Sequence, residues 1–231
     1  MRTLLISRAD DKTKKMTDLT FPFLKDYAQK CGCDFLMLDG EPPIWTNESP
    51  PRPHYRIMKL YNLLDQYDRI LQVDCDVIIN KNCPNIFDTV SYDCVGTIFE
   101  DVGNSIEHRR GQIEKANNQF GDIGWREGYI NTGFFLVSRA HKEIFQPING
   151  RYFMDFGYDD VHLAYNINKM GFKIHQLDYK WNHMTMFSEP WNGYANRFES
   201  NVIHYAGAGI FDKDKFGSRV EQIRHDAAIW Q

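Results

Sequence analysis

The sequence lacks any long apolar run. No stretch of the 231 residues approaches the roughly 20 consecutive apolar residues that a membrane-spanning helix needs. The apolar run near the amino terminus, Leu4 to Ile6, is too short for the core of a signal peptide, and charged residues follow it almost at once. We therefore expect a protein with no membrane span of its own, acting in the cytoplasm.

Cysteine and positive charge are also scarce. The five cysteines are an odd number and follow no repeated zinc-ligand spacing, which favours reduced thiols in a cytosolic protein. The 27 basic and 31 acidic residues give a formal net charge of −4. Because nucleic-acid-binding proteins use a broad positive field, this balance indicates that nucleic acid is not a partner.

What the sequence does contain is material for a packed interior. Its residues are 42% hydrophobic and 14% aromatic, which is ordinary for a globular domain with a substantial core. No internal repeat or low-complexity tract interrupts the chain. We therefore predict one domain over residues 1 to 231.

Strand and helix patterns alternate along the first third of the chain. The apolar residues predict, in order, a strand over Leu4 to Ser7, a helix over Met16 to Cys31, a strand over Phe35 to Leu38, a helix over His54 to Tyr67 and a strand over Ile70 to Val73. This order is typical of an α/β fold with a mostly parallel sheet, flanked by helices, that binds ligands at the carboxyl ends of its strands.

The later sequence continues the alternation with two irregular stretches. We predict strands near Cys94 to Phe99, Tyr129 to Ser138 and Lys173 to Leu177, and a helix over Asp159 to Met170. Five prolines make the segment from Gly40 to Pro53 irregular. The polar, glycine-punctuated stretch from Asp101 to Gly128 predicts a long connection, and such connections are often functional.

Two carboxylates stand at the end of the third predicted strand, in Asp74-Cys75-Asp76. Residues two apart on an extended chain point to the same side, so both carboxylates can face one hard divalent cation. The pair is also compatible with a strand cap, or with an aspartate-nucleophile phosphatase of the haloacid-dehalogenase type in which Asp74 attacks phosphorus. That nucleophile normally follows the first strand, whereas here two strands come earlier.

Four motifs together resemble the GT-A-fold glycosyltransferases, especially those akin to glycosyltransferase family 8. They are the segment Tyr67 to Val77 around the Asp-X-Asp pair, Tyr129-Ile130-Asn131-Thr132-Gly133 with its following strand, Gly157-Tyr158-Asp159-Asp160, and Val202-Ile203-His204-Tyr205-Ala206-Gly207. They stand in the family's order. The chain also resembles, more loosely, the compact cytosolic-type domains of bacteria and of large DNA viruses of algae.

The resemblance implies a fold and an activity. It implies a single GT-A (Rossmann-like) domain, with a nucleotide-binding part over residues 1–100 that ends near Asp-X-Asp and an acceptor-binding and catalytic part over residues 101–231. It further implies a metal-dependent glycosyltransferase that uses Mn²⁺ or Mg²⁺. The donor that it implies is a nucleotide sugar, and specifically a UDP-sugar. The acceptor implied is a glycan or a glycoprotein. Loss of the chemistry would instead leave a non-catalytic carbohydrate-binding domain.

The same resemblance assigns candidate site residues. The metal ligands are Asp74, Asp76 and His204, and the catalytic candidates are Asp160, Asp159 and Asn131. The donor-binding candidates are Ser7, Arg8, Asp10, Arg56, Lys59, Asp74, Cys75 and Gly207.

Several of these residues also have purely structural interpretations. Asp159 and Asp160 suit the start of a helix, Asn131 suits a turn, and Arg56 and Lys59 suit surface ion pairs. One departure from the family stands out, because Ile210 and Phe211 replace its Lys-Pro-Trp. Lys213 or Lys215 is then the candidate for neutralising the donor phosphate.

Overall fold

The protein is a mixed α/β structure, seen in a computed structural model that describes residues 1–43 and 53–230. The described strands are β1 (Thr3–Arg8), β2 (Asp34–Leu38), β3 (Arg69–Asp74), β4 (Val77–Ile79), β5 (Cys94–Thr97), β6 (Phe134–Ser138), β7 (Lys173–Gln176) and β8 (Val202–His204). Six of them form one sheet in the order β2-β1-β3-β6-β5-β7, and β4 pairs with β8 in a small second sheet.

The large sheet is mostly parallel, as predicted. Strand β1 runs parallel to β2 and β3, and β5 runs parallel to β7. Only β6 runs against its neighbours, pairing antiparallel with both β3 and β5. The carboxyl ends of β1, β3 and β5 therefore meet the beginning of β6 at one edge of the sheet.

Helices flank this sheet. They are α1 (Lys14–Cys31), α2 (Leu60–Leu63), α3 (Ile86–Thr89), α4 (Ile106–Phe120), α5 (Tyr158–Met170) and α6 (Arg219–Trp230). Buried apolar side chains form separate clusters on the two faces of the sheet, the larger under α4 and α5 and another under α1. None of the helices among the described residues is long and apolar enough to cross a membrane.

The predicted helix over His54 to Tyr67 is wrong for most of its length. The segment Pro53–Lys59 is a 3-10 helix, and only α2 follows it as α-helix. Four consecutive residues of this segment, Tyr55 to Met58, are buried, so it does not have the single apolar face on which the helix prediction rested. The proline-rich stretch expected to be irregular lies mainly at residues 44–52, outside the described residues.

The predicted long connection from Asp101 to Gly128 is also wrong, because α4 occupies its centre. This helix buries a narrow stripe, Ile113, Ala116 and Phe120, and its other positions are mostly polar. A stripe of one residue per turn gives a weak periodic signal. The strand expected over Tyr129 to Ser138 is shorter than predicted, because β6 begins only at Phe134.

Candidate active site

The edge where the strand ends meet forms a cavity of about 560 Å³. Arg8 ends β1, Asp74 ends β3, and Glu100 follows β5. Because β6 runs the opposite way, its preceding turn with Asn131 and Thr132 reaches the same edge, where the start of α5 adds Asp159 and Asp160. Ligand cavities in α/β proteins form at such edges.

Two carboxylates and an imidazole converge on one point of this cavity. Suitable ligand atoms of Asp74, Asp76 and His204 all lie within 4.8 Å of one another. His204 Nε2 is 3.3 Å from Asp76 Oδ1 and 3.8 Å from Asp74 Oδ2. The pairing of β4 with β8 sets His204 opposite Val77, which brings the imidazole to the Asp-X-Asp turn from a distant part of the chain.

Hydrogen bonds orient the imidazole toward the two aspartates. His204 Nδ1 donates to Asn182 Oδ1 at 2.8 Å, so Nε2 is the nitrogen that faces the carboxylates. Asn182 in turn donates to Asn131 Oδ1 at 2.7 Å, and Asn131 donates to Glu100. Gly133 permits the approach, since a Cβ there would lie 2.3 Å from His204 Cε1.

Each aspartate of the Asp-X-Asp pair also contacts an arginine. Arg8 donates to Asp74 Oδ1 at 2.7 Å, and Gln72 donates to the same oxygen at 2.8 Å. Arg219 donates to Asp76 Oδ2 at 2.7 Å. The second oxygen of each carboxylate, Oδ2 of Asp74 and Oδ1 of Asp76, is the one that faces His204.

The acid pair at the start of α5 is held differently. Arg8 makes an ion pair with the buried Asp159. Asp160 Oδ1 accepts 2.8 Å hydrogen bonds from the backbone N–H and from the hydroxyl of Thr132. Burial raises the pKa of Asp160 well above its usual value, and the nearby carboxylates of Asp159 and Glu100 raise it further.

The metal-ligand cluster has the opposite electrostatics. Burial alone would raise the pKa of Asp76, but the His204 imidazole and the Arg219 guanidinium hold it below its usual value. Burial likewise opposes a charge on His204, yet the carboxylates of Asp76 and Asp74 raise the pKa of this imidazole. The two carboxylates thus favour a proton on His204. A cation bound by Nε2 would take the place of that proton.

The donor set fits a divalent cation. Two carboxylate oxygens and one imidazole nitrogen are ligands that Mn²⁺ and Mg²⁺ accept, and the bond from Nδ1 to Asn182 gives the second-layer support that metal-bound histidines have.

The cavity includes eight of the residues that the sequence analysis selected. These are Arg8, Asp74, Asp76, Asn131, Asp159, Asp160, His204 and Gly207. Seven other candidates do not line it, namely Ser7, Asp10, Arg56, Lys59, Cys75, Lys213 and Lys215. Ser7 is fully buried, and Cys75 packs against a separate apolar cluster. Arg56 makes an ion pair with Asp10 at 2.9 Å. The Lys59 ammonium donates to the Asp39 carbonyl.

Some residues of the cavity were absent from the sequence prediction. Glu100 accepts a hydrogen bond from Asn131, and Thr132 binds both acids of α5, but an isolated Glu and a single Thr have no distinguishing pattern. Asn182 supports His204 from outside the cavity lining. Arg219 begins a helix that was not predicted. A usable signal exists for it, because Ser218 and Glu221 form the Ser-X-X-Glu pattern of a helix start.

Comparison with protein-family models gives no match for this sequence, and comparison with curated proteins gives none either. Comparison with solved structures does. A glycosyltransferase involved in glycosylation of the major capsid of PBCV-1 superposes with a TM-score of 0.59 at 16% identity, over 97% of this chain and 98% of the other.

Two further solved structures agree. The galactosyltransferase LgtC, in complex with donor and acceptor sugar analogues, has a TM-score of 0.59 and 16% identity, covering 99% of this chain and 96% of its own. The bifunctional glycosyltransferase WbbM has a TM-score of 0.68 at 11% identity, and the match covers 98% of this chain but 50% of WbbM. This chain therefore has the GT-A fold of these glycosyltransferases.

Proposed function

We propose that this protein is a metal-dependent glycosyltransferase. It moves a sugar from a nucleotide diphosphate sugar, which we propose to be a UDP-sugar, to a glycan or glycoprotein acceptor. The observation that carries this proposal is the presence of two aspartate pairs in one cavity, one beside His204 and the other at the start of α5. Metal-dependent sugar transfer can use both, a cation at the diphosphate and a carboxyl group at the reacting sugar.

Asp74, Asp76 and His204 would hold the cation, Mn²⁺ or Mg²⁺. When bound, the cation supplies positive charge that stabilises the departing diphosphate. With only these three side chains as protein ligands, a bound cation would still be able to interact with phosphate oxygens and water. Ala206 and Gly207 line the cavity directly after His204, where their backbone is available to the phosphates.

The acid pair of α5 would act on the sugar. A raised pKa suits Asp160 to exchange a proton, so it would accept the acceptor's hydroxyl proton if transfer inverts the anomeric centre. If transfer retains the configuration, the same carboxyl group would orient the donor sugar or stabilise charge at its anomeric carbon. Asn131, next to the pair, would contact the donor sugar.

The two parts of the chain would divide the task. In this proposal residues 1–100 bind the nucleotide and end near the metal ligands, and residues 101–231 supply the acid pair and the acceptor side. Arg56 and Asp10 then order the loop after β1 through their ion pair. Lys59 supports the same loop from the Asp39 carbonyl.

An acceptor of carbohydrate or glycoprotein nature agrees with what two structural neighbours do. One is involved in glycosylation of the major capsid of PBCV-1, and another is seen in complex with donor and acceptor sugar analogues. The cytosol remains our proposed location, and its support is that all five cysteines are free thiols.

Thermal unfolding with different ligands tests the proposal. Because a ligand that binds only the native state raises the melting temperature, Mn²⁺ with UDP should stabilise the protein more than Mn²⁺ with inorganic phosphate. A panel of nucleotide sugars then shows which donor is slowly hydrolysed. Indifference to UDP together with hydrolysis of a generic phosphoester would instead establish the Asp74-nucleophile phosphatase.

The third alternative gives a separate result. A non-catalytic carbohydrate-binding domain would be stabilised by sugars, but it would turn over no member of the donor panel in the presence of any acceptor. NMR of a product from the active donor would report whether the anomeric configuration is inverted or retained.

A further inference from the structure

Arg219 enters the cavity from the first turn of α6. Its guanidinium donates to Asp76 Oδ2 at 2.7 Å and to the Tyr205 carbonyl at 3.3 Å. Ser218 and Glu221 fix the beginning of the helix, since the Glu221 N–H donates to Ser218 Oγ and the Ser218 N–H donates to Glu221 Oε2. Arg219 is thus the first residue after a well-defined helix cap.

The helix that carries Arg219 is anchored to the strand that carries His204. The fully buried Asp226 accepts two hydrogen bonds from Arg197, at 2.7 and 2.9 Å, and one from the Tyr205 hydroxyl at 2.9 Å. Gly209 leaves room for the arginine, because a Cβ at that position would lie 2.6 Å from Arg219 Cδ. The Arg219 backbone is therefore fixed beside the metal-ligand cluster.

The three arginines of the cavity differ in how firmly their side chains are held. The Arg8 side chain is 9% exposed and bridges Asp74 and Asp159. Arg109 pairs with Glu100 and packs over the rings of Tyr129 and Phe156. Arg219 is 34% exposed and pairs with a single carboxylate, so it is the arginine that can exchange partners at low cost.

The two lysines that the sequence suggested for phosphate neutralisation do not line the cavity. Lys215 lies over the Phe216 ring, and its ammonium is 3.2 Å from His225 Nε2. Lys213 is exposed. Arg219, in contrast, lines the cavity together with Gly207 and contacts a metal-ligand candidate.

We propose that Arg219 is an exchangeable cation that neutralises Asp76 in the metal-free protein and binds the diphosphate of the donor once a divalent cation occupies Asp74, Asp76 and His204. This inference rests on the proposed function. A guanidinium suits both partners, because its fork of N–H donors matches carboxylates and phosphates equally well.

The exchange predicts effects of opposite sign on two ligands. Arg219 holds Asp76 Oδ2 while Oδ1 faces His204, so its positive charge opposes a cation bound at Oδ1, and its removal should tighten the binding of Mn²⁺ alone. It also supplies a charged contact to the diphosphate, so the same removal should weaken UDP binding at saturating Mn²⁺. A residue that merely stabilises the cavity would weaken both, which makes the pair of signs diagnostic.

The test measures both affinities by calorimetry in the full chain, for wild type, Arg219→Gln and Lys215→Gln. For Arg219→Gln we expect Mn²⁺ to bind about two- to fivefold more tightly, the range for loss of a partly exposed ion pair. UDP should bind about tenfold or more weakly, as for loss of a charged hydrogen bond. Lys215→Gln should leave both affinities within twofold of wild type.

Any other combination of signs for Arg219→Gln overturns the inference, including weaker binding of both ligands. If that variant does not fold, Arg219→Met replaces it, and the same pair of signs is required: tighter Mn²⁺ with weaker UDP supports the inference, and any other pair overturns it. Failure of wild type to bind UDP refutes the proposed function, whereas the Mn²⁺ measurement still decides whether Arg219 competes for Asp76.

Discussion

The cavity contains two aspartate pairs with opposite surroundings. Asp74 and Asp76 each contact an arginine through one carboxylate oxygen. The other oxygen of each, Oδ2 of Asp74 and Oδ1 of Asp76, faces His204 Nε2. Asp159 shares Arg8 with Asp74, while Asp160 is bonded to Thr132 and lies near the carboxylates of Asp159 and Glu100. The pKa of Asp76 is consequently lowered and that of Asp160 raised.

This difference assigns the pairs to different chemistry. A carboxylate that stays ionised is suited to hold a cation, whereas a carboxyl group with a raised pKa is suited to exchange a proton or to contact an uncharged sugar. Arg8 connects the pairs, because its guanidinium binds one oxygen in each. Substitutions that affect one pair and spare the other therefore test the assignment directly.

The largest effect is expected at the metal-ligand pair. Asp76→Asn removes a charged ligand and leaves Arg219 opposite a neutral amide, so Mn²⁺-dependent UDP binding should fall below detection in calorimetry. The fold should remain, with the far-UV circular dichroism of wild type. Unchanged affinity for UDP with Mn²⁺ would remove Asp76 from the ligand set.

The acid pair should respond differently. Asp160→Asn keeps both hydrogen bonds from Thr132 but removes the proton acceptor, so the turnover number should drop by about 10²- to 10⁴-fold while UDP affinity stays within a few fold. The control is Asp155→Asn, an exposed aspartate just before α5 that pairs with Lys115. Retained transfer would remove Asp160 from the catalytic residues.

A smaller effect on Mn²⁺ affinity is expected at Asn182, which contacts the metal-ligand candidate His204. Asn182→Leu removes the acceptor for His204 Nδ1, so the imidazole loses its orientation and Mn²⁺ should bind about 10- to 100-fold more weakly. Asn182→Asp keeps an acceptor and should lie closer to wild type. Equal affinities in the two variants would show that orientation of His204 does not matter, and turnover at saturating Mn²⁺ checks that the acid pair is spared.

The sequence predicts this site better than it predicts some of the surrounding structure. The fold class and the parallel strands follow from apolar runs such as Ile70 to Val73, and the four motifs point to residues that meet in one cavity. The segment of Tyr55 to Met58 departs from the predicted α-helix because the apolar spacing of a short buried segment does not distinguish a 3-10 helix from an α-helix. Arg219 escapes because its contact with Asp76 joins residues far apart in the chain.

The histidine of the metal-ligand cluster and the one on α5 also differ, and this difference predicts a modest effect of pH on stability. His204 has a raised pKa, but on α5 burial lowers the pKa of His162 from 6.5 to about 4. His162 Nε2 donates to the Gln146 carbonyl at 2.9 Å, and Nδ1 accepts from the Phe153 N–H at 3.4 Å, so the folded protein requires a neutral ring.

The unfolded chain takes up a proton at His162 as the pH falls below 6.5, and the folded protein does not until about pH 4. This contribution to stability is therefore full above pH 6.5 and is lost progressively toward pH 4. Between pH 7 and 5.5 it should cost about 1 kcal/mol, measured by urea unfolding. His162→Gln, although less stable throughout, should show a shallower pH slope, whereas the exposed His108→Gln should keep the wild-type slope. Equal slopes in all three proteins would show that His162 already titrates normally in the folded state.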